Sequence, residues 1–469
     1  MISPDPQGWT LRSLSRALRR KEVSPVEITR AYLDRIEAYD PQINSFITVL
    51  PSRAMRAARQ AEREILNGSY RGALHGIPFA AKDLFLTRGI RTTCGSKILA
   101  EFVPAYDAAV IERLLSAGAI LLGKLNMHEF AYGTTSVNLH FGSVRNPWDR
   151  ERIAGGSSGG SAAALACSLA PLTLGTDTGG SIRIPSALCG IPGLKPTYGR
   201  ISRYGVHPLC WSLDHVGPMA KSVSDIALAL GVLAGYDPRD PSSSPASVPD
   251  YTRFLAKELK GIRLGIPEFF FSRLEGEVSR VVQRALNDLR RIGARVRPFS
   301  IPGLHEASVA AYVTLLAEGA AVLEKWRLSR ARDLDKGIKT RLELGAMIKA
   351  TDYLKAQRIR ARVRSAFGEA FRKVDAIVTP QIPITAPKIG QANVTVGGKS
   401  MAVPAALTRF TRIFNLIGFP SLSLPCGFSQ SGMPIALQVA GKPFGEGMVL
   451  RIGHAYEINA PWKDRQPNL

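Results

Sequence analysis

Two glycine clusters, each carrying a serine and flanking a run of small residues, constrain this chain more than any other feature. The stretch AGGSSGGSAAALACSLAPLTLGTDTGGSIRIP runs from Ala154 to Pro185. Glycine loses more conformational freedom on folding than other residues, so such density must be offset by something a side chain would prevent: a tight turn, or a close approach of backbone to another atom. Between the clusters, SAAALACSLAPLTLG reads as a small-residue helix entering a strand, and small residues there imply close packing on both sides.

The surrounding pattern is that of a wound sheet. Ser24-Pro25-Val26-Glu27 supplies a cap, a proline at the first helical position and a reciprocal glutamate, and VEITRAYLDRIEAYD continues at helical period. LHGIPFAAKDLF (74–85) reads as a short buried strand carrying one lysine. AVIERLLSAGAILLGKLN (109–126) reads as helix, glycine, strand. After the turn-rich GYDPRDPSSSPASVPDY (235–251), residues 275–375 form a charged helical excursion, and DAIVTP, SLSLPCG and PIALQVAG return to strand. With no internal repeat and no clean linker, the chain is expected to be one large mixed α/β domain over 1–469. Its core lies at about 60–230, a variable helical region at about 275–375 and a C-terminal return to the core at 376–469.

Composition excludes several classes. Apolar residues at 45% of 469 support a sizeable buried core. The longest apolar run, IALALGVLAG (226–235), falls short of the roughly eighteen residues a membrane span needs. The N-terminus, MISPDPQGWT, lacks the pattern of a secretory signal. Cys94, Cys167, Cys189, Cys210 and Cys426 are odd in number and never spaced C-x-x-C, which argues against a disulfide framework or a zinc site and for a reducing, cytoplasmic setting. The net charge of +23 suits a nucleic-acid partner, an anionic surface or a basic solvated exterior. In the helical region Lys and Arg surround every face and interleave with Glu, Asp and Leu, so the solvated exterior is favoured and no nucleic-acid partner is expected.

Three chemistries compete for the glycine clusters. Gly155-Gly156-Ser157-Ser158-Gly159 satisfies G-x-S-x-G, but the preceding NPWDRERIA is polar rather than a core strand, and His207, His215, His305 and His454 carry no distinctive context for a triad. A phosphate loop would need a Gly-Lys-Ser/Thr that does not follow. The third chemistry activates serine with a neutral lysine. Free lysine titrates near 10.4 and must be lowered by burial, at roughly 1.4 kcal/mol per unit. Lys82, after the apolar GIPFAA, suits that role; the plain alternative is a lysine snorkelling from a strand end.

GIPFAAKD, GGSSGGSAAA, GTDTGGSIRIPSALCGIPGLKPTYGR, NLIGFPSLSLPCG and GMPIALQVAG, with INSFITV, GKLNMHEFAYGT and RNPWD, resemble the amidase signature family over most of the chain outside parts of 236–375. The resemblance implies a large mixed β-sheet covered by helices on both faces, a Ser-cisSer-Lys triad, and no metal or organic cofactor. By it, Lys82 is the base, Ser157 the bridging serine behind a cis Gly156–Ser157 peptide, and Ser181 the nucleophile. The amides of Thr178, Gly179, Gly180 and Ser181 form the oxyanion hole, Asp177 and Arg183 brace that loop, and Ser158 assists. Phe130, Ala131, Tyr132 and Gly133 occupy the place where family members line the acyl side, and Ile182, Ile184 and Phe414 are further candidates.

The expected activity is serine-dependent hydrolysis of a small carboxamide, with esters and carbamates accessible to the same machinery, by a stand-alone enzyme whose oligomeric state, a homodimer included, stays open. The alternative is the A subunit of a tRNA-dependent amidotransferase, which releases ammonia from glutamine. RTTCGSKIL and GLKPTYGRISRYGV resemble that protein. Where it carries a stretch similar to SSNLARYDG, this chain reads EASVAAYVTLLAEGAAVLE, with Tyr312 alone among small and apolar residues.

Overall fold

The structure, a computed structural model, describes residues 6–460, 462 and 465–468. Its centre is a mixed sheet of eleven strands. In chain order these are β1 (Phe46–Val49), β2 (Pro78–Lys82), β3 (Ile120–Leu125), β4 (Leu172–Asp177), β5 (Gly193–Lys195), β6 (His215–Ala220), β7 (Arg263–Pro267), β8 (Arg295–Phe299), β9 (Ala376–Pro380), β10 (Ser421–Phe428) and β11 (Pro434–Ala440). Their order across the sheet is β1-β3-β2-β4-β6-β5-β10-β11-β9-β7-β8. β3, β2 and β4 run parallel to one another, as do β9, β7 and β8, and the remaining neighbours are antiparallel. Helices pack on both faces, which is why the central strands read as nearly continuous apolar runs: every residue of β2, β3, β4 and β6 is buried.

The local signals hold. Helix Pro25–Ile43 starts with Ser24 Oγ accepting from the Glu27 amide at 3.1 Å while Glu27 Oε2 accepts from the Ser24 amide at 2.8 Å. Helix Gly159–Ala166 is buried from Gly159 to Leu165, and it packs so closely that a Cβ on Gly160 would come within 2.4 Å of the Asn126 and Ser45 carbonyl oxygens. In helix Ala350–Lys373 only Ala356, Val363, Phe367 and Ala370 are buried, a single stripe. The basic side chains cover the remaining surface of that helix.

The excursion at 275–375 differs from the expectation of helix alone. Its residues 295–299, RVRPF, form β8, the outermost strand, paired in parallel with β7. Two exposed arginines and Pro298 obscure the strand pattern, and an edge position tolerates both.

The sheet positions the site by register. β2 and β4 are parallel neighbours with Ala80 opposite Thr173 and Ala81 opposite Leu174, so both strands end at the same edge. Lys82 closes β2 there, and Thr176 and Asp177 close β4. Ligand sites of α/β sheets form at such carboxyl-terminal strand ends.

Candidate active site

Lys82 is fully buried, and its amine meets hydroxyls rather than carboxylates. Nζ donates to Ser157 Oγ at 2.7 Å and to Thr176 Oγ1 at 2.9 Å. Burial pushes its pKa down to about 7, and the charges of Asp177 and Asp214 oppose that shift without restoring the ordinary value. A lysine so placed loses its proton far more readily than a free one, and its complete burial removes the snorkelling alternative.

The first glycine cluster brings Ser157 to this amine. The Gly156–Ser157 peptide is cis. A Cβ on Gly156 would lie 2.8 Å from the Ser136 amide nitrogen and 2.9 Å from that of Thr135, so no side chain fits where the two loops cross. The Ser158 amide donates to the Ser181 carbonyl at 3.1 Å, tying the first cluster to the second. Ser158 Oγ is spent on the Thr176 backbone, donating to its carbonyl at 3.2 Å and accepting from its amide at 3.3 Å. That hydroxyl braces β4 and takes no part in the Lys82–Ser157 contact.

In the second cluster the carboxylate of Asp177 organises the turn. Oδ1 accepts from the Gly180 amide at 2.8 Å and Oδ2 from the Ile182 amide at 3.2 Å, while Arg183 grips both oxygens at 2.9 and 3.0 Å. Arg183 continues to Gln438 at 2.6 Å and Asn415 at 2.7 Å, and neither it nor Asp177 has any exposed side chain. Burial would raise the Asp177 carboxyl, but the adjacent guanidinium holds it well below the usual carboxylate range. Gly180 sits at φ +132°, and a Cβ there would strike Thr411 Oγ1 at 2.4 Å. Thr411 Oγ1 itself donates to the Gly179 carbonyl at 2.5 Å.

This arrangement corrects one expectation. The Gly180 amide is committed to Asp177 and is unavailable to an oxyanion. Among the described residues, the amides of Thr178, Gly179 and Ser181 have no hydrogen-bond partner, so three of the four expected donors are free. The Thr178 side chain is pinned separately, by donation to Asp214 Oδ1 at 2.6 Å.

Ser181 opens onto a cavity of about 460 Å³, together with Thr178 and Gly179. Ala131, Tyr132 and Gly133 line it as expected. Phe130, Ile182, Ile184 and Phe414 do not. Phe130 packs on His207 with ring centroids 5.3 Å apart, Phe414 lies between Phe270 and Phe367 at 5.8 Å from each, and Ile182 and Ile184 are core residues with no exposed surface. Apolar neighbours of a glycine loop look alike in sequence whether they face a cavity or a core. Thr176, Arg341 and Arg412 went unrecognised in sequence. Thr176 had a signal, as the hydroxyl beside Asp177 in GTDTGG; the two arginines belong to helices Lys336–Ala346 and Arg412–Ile417 and look there like any surface cation.

The Amidase family profile matches residues 27–450. The chain is similar to the A subunit of the glutamyl-tRNA(Gln) amidotransferase of Geotalea daltonii, 42% identical over 98% of this chain and 99% of the relative. Among solved structures it is similar to a protein of a vestigial complex that reveals the origins of an s-triazine catabolic enzyme, with 35% identity, a TM-score of 0.92, and 96% of this chain and 98% of that one covered. A bacterial aryl acylamidase of the amidase signature family superposes with a TM-score of 0.89 at 26% identity, over 97% of this chain and 96% of that one. Among the described residues no helix is long and apolar enough to cross a membrane.

Proposed function

This chain belongs to the amidase family, enzymes that act on C–N bonds, and we propose that it releases ammonia from a small carboxamide through an acyl-enzyme on Ser181. The observation that carries the reading is the buried Lys82 amine, 2.7 Å from Ser157 Oγ with no carboxylate bonded to it, beneath a cavity that exposes Ser181. Ser181 Oγ attacks the carbonyl carbon and its proton passes by way of Ser157 to the Lys82 amine. The developing oxyanion is held by the free amides of Thr178, Gly179 and Ser181, each worth roughly 3–4 kcal/mol of barrier. The proton returns along the same path to the departing nitrogen, and water, deprotonated by Lys82, releases the acid. Aryl esters and carbamates pass through a similar tetrahedral intermediate.

The relatives support the A subunit of glutamyl-tRNA(Gln) amidotransferase better than the stand-alone hydrolase that sequence put first, because identity of 42% runs the whole length of both chains. In that reading glutamine is the amide and the ammonia passes to a partner. One observation favours the stand-alone reading: among the described residues no acidic side chain lines the cavity to meet the ammonium of a free amino acid. Release of ammonia from glutamine and simple primary amides, of aniline from an anilide, and of the phenol from an aryl ester and an aryl carbamate, each with Ser181→Ala as control, tests both. Hydroxylamine present during turnover should yield a hydroxamate and lose it in the variant. Turnover of no substrate, alone or with partner subunits and tRNA, would overturn acyl transfer.

A further inference from the structure

The cavity above Ser181 has a strongly one-sided charge. Among the described residues two guanidiniums, Arg341 and Arg412, reach its wall and no aspartate or glutamate does. Arg412 stands beside the nucleophile loop: a Cβ on Gly179 would lie 4.0 Å from the Cβ of Arg412. Its guanidinium donates to Thr408 Oγ1 and lies over the Tyr312 ring, 5.2 Å from the centroid. Arg341 donates to the Tyr132 carbonyl at 2.6 Å and lies 5.0 Å from that residue's ring centroid. Neither forms an ion pair among the described residues, and the electrostatic neighbour raising Arg412 is the phenol of Tyr312. Asp335, which acts on Arg341 from a distance, is occupied in capping its own helix through the Gly337 and Ile338 amides.

Cation–π contacts and single neutral acceptors do not balance two half-buried guanidiniums. Burial lowers the pKa of both, Arg412 to about 10, so the charged form of each is held in a setting that disfavours it. Behind the same wall, Arg341 Nε, Tyr132 Oη and Thr134 Oγ1 are buried without a hydrogen-bond partner among the described residues. Two five-donor guanidinium forks suit a carboxylate. An ammonium in the same cavity would meet two positive charges and no negative one.

We infer that the substrate is an amide bearing a carboxylate and no ammonium, its anion held between Arg412 and Arg341 while its carboxamide reaches Ser181. The inference rests on the amide-hydrolysis reading and names its substrate class, of which the monoamides of short dicarboxylic acids are the simplest members. It separates this pocket from one built for glutamine, in which the α-ammonium would need its own acidic partner.

Four primary amides isolate the two charges: glutaramate carries the carboxylate alone, 4-aminobutyramide the ammonium alone, glutamine both, and butyramide neither. Ammonia release by the wild-type chain should give a kcat/KM for glutaramate about 100-fold above butyramide and about 10-fold or more above glutamine, with 4-aminobutyramide slowest. Arg412→Leu should reduce the glutaramate-to-butyramide ratio at least 30-fold, mainly through KM, and Arg412→Lys should restore part of it. A glutaramate rate equal to butyramide, or glutamine as the best of the four, overturns the inference. Should none of the four release ammonia, the amide-hydrolysis reading fails for simple amides, and calorimetry of glutaramate with Ser181→Ala decides the pocket by itself. Saturable binding to that variant, lost in Ser181→Ala combined with Arg412→Leu, supports the anion site; absence of binding to Ser181→Ala overturns it.

Discussion

Two buried lysines on neighbouring parallel strands have different fates. Lys82 ends β2 and Lys124 lies near the end of β3, and neither side chain is exposed. Lys124 faces Asp83 at 3.3 Å and also donates to the Phe85 carbonyl at 2.8 Å and Thr92 Oγ1 at 2.7 Å. Burial lowers its pKa and Asp83 pulls it back, so its charge is part of the structure. Among the described residues Lys82 meets two hydroxyls and no carboxylate, so no ion pair depends on its charge. Equal burial therefore leaves one lysine a strut in an ion pair and the other bonded to hydroxyls, the state its proposed role as base requires, and the difference lies in whether a carboxylate shares the hole.

The sharpest break of this comparison is in rate. Lys82→Met should lower kcat by about three to four orders of magnitude, as loss of a general base does, while Lys124→Met should leave the folded fraction active, as steady-state assays corrected for folded protein would show. The next break is in stability. Lys124→Met strands Asp83 as an uncompensated buried charge and should cost about 3–5 kcal/mol in urea unfolding, whereas Lys82→Met should leave the midpoint unchanged or higher. Arg183→Met belongs with the first of these: it strands Asp177 and should cost a similar amount, together with all turnover, since Asp177 holds the amides of Gly180 and Ile182.

The pH profile sharpens the same contrast. The rate should rise through about pH 7 as Lys82 loses its proton, and a profile flat from pH 5 to 8 would contradict a lysine base. The sign for stability follows. Folded Lys82 releases its proton near pH 7 and the unfolded residue near 10.5, so between these values the unfolded chain binds more protons and stability gains with rising pH. Below pH 7 both states are protonated and the contribution is flat. Lys82→Met should remove that gain, measured as the difference between the two proteins' urea midpoints at pH 7 and pH 9.5. The smallest effect is that of Thr176→Val, which deletes one acceptor from the Lys82 amine; it should lower kcat about tenfold and move the acid limb slightly downward, because a hydroxyl favours the charged amine.

How far sequence reaches can be seen residue by residue. Lys82 stood out because a charge followed GIPFAA, and Ser157 and Ser181 because glycines flanked them; these are local incongruities that composition cannot hide. The capped helix at 25–43 and the strands ending in Lys82 and Asp177 were equally local. β8 was masked by its arginines, since an edge strand has no hydrophobic period to display. Phe130, Ile184 and Phe414 were placed in the pocket because they neighbour its motifs, yet chain neighbours of a strand or helix point to opposite sides. The Gly180 amide was counted as an oxyanion donor because its competitor, Asp177 Oδ1, becomes visible only once the turn is closed.

The residue types proposed for catalysis, the positions where only glycine fits and the strands that carry them were legible in the chain alone, because each depends on backbone conformation and burial within a few residues. Tertiary structure alone decided which charges are balanced. Thr411 reaches Gly179 across 232 residues of chain, and its neighbour Arg412 arrives beside the Gly179–Ser181 loop by the same route. Whether a lysine is a base, an amide is free or an arginine awaits an anion depends on partners brought by distant segments, and the electrostatic interactions that fix those roles act through space rather than along the chain.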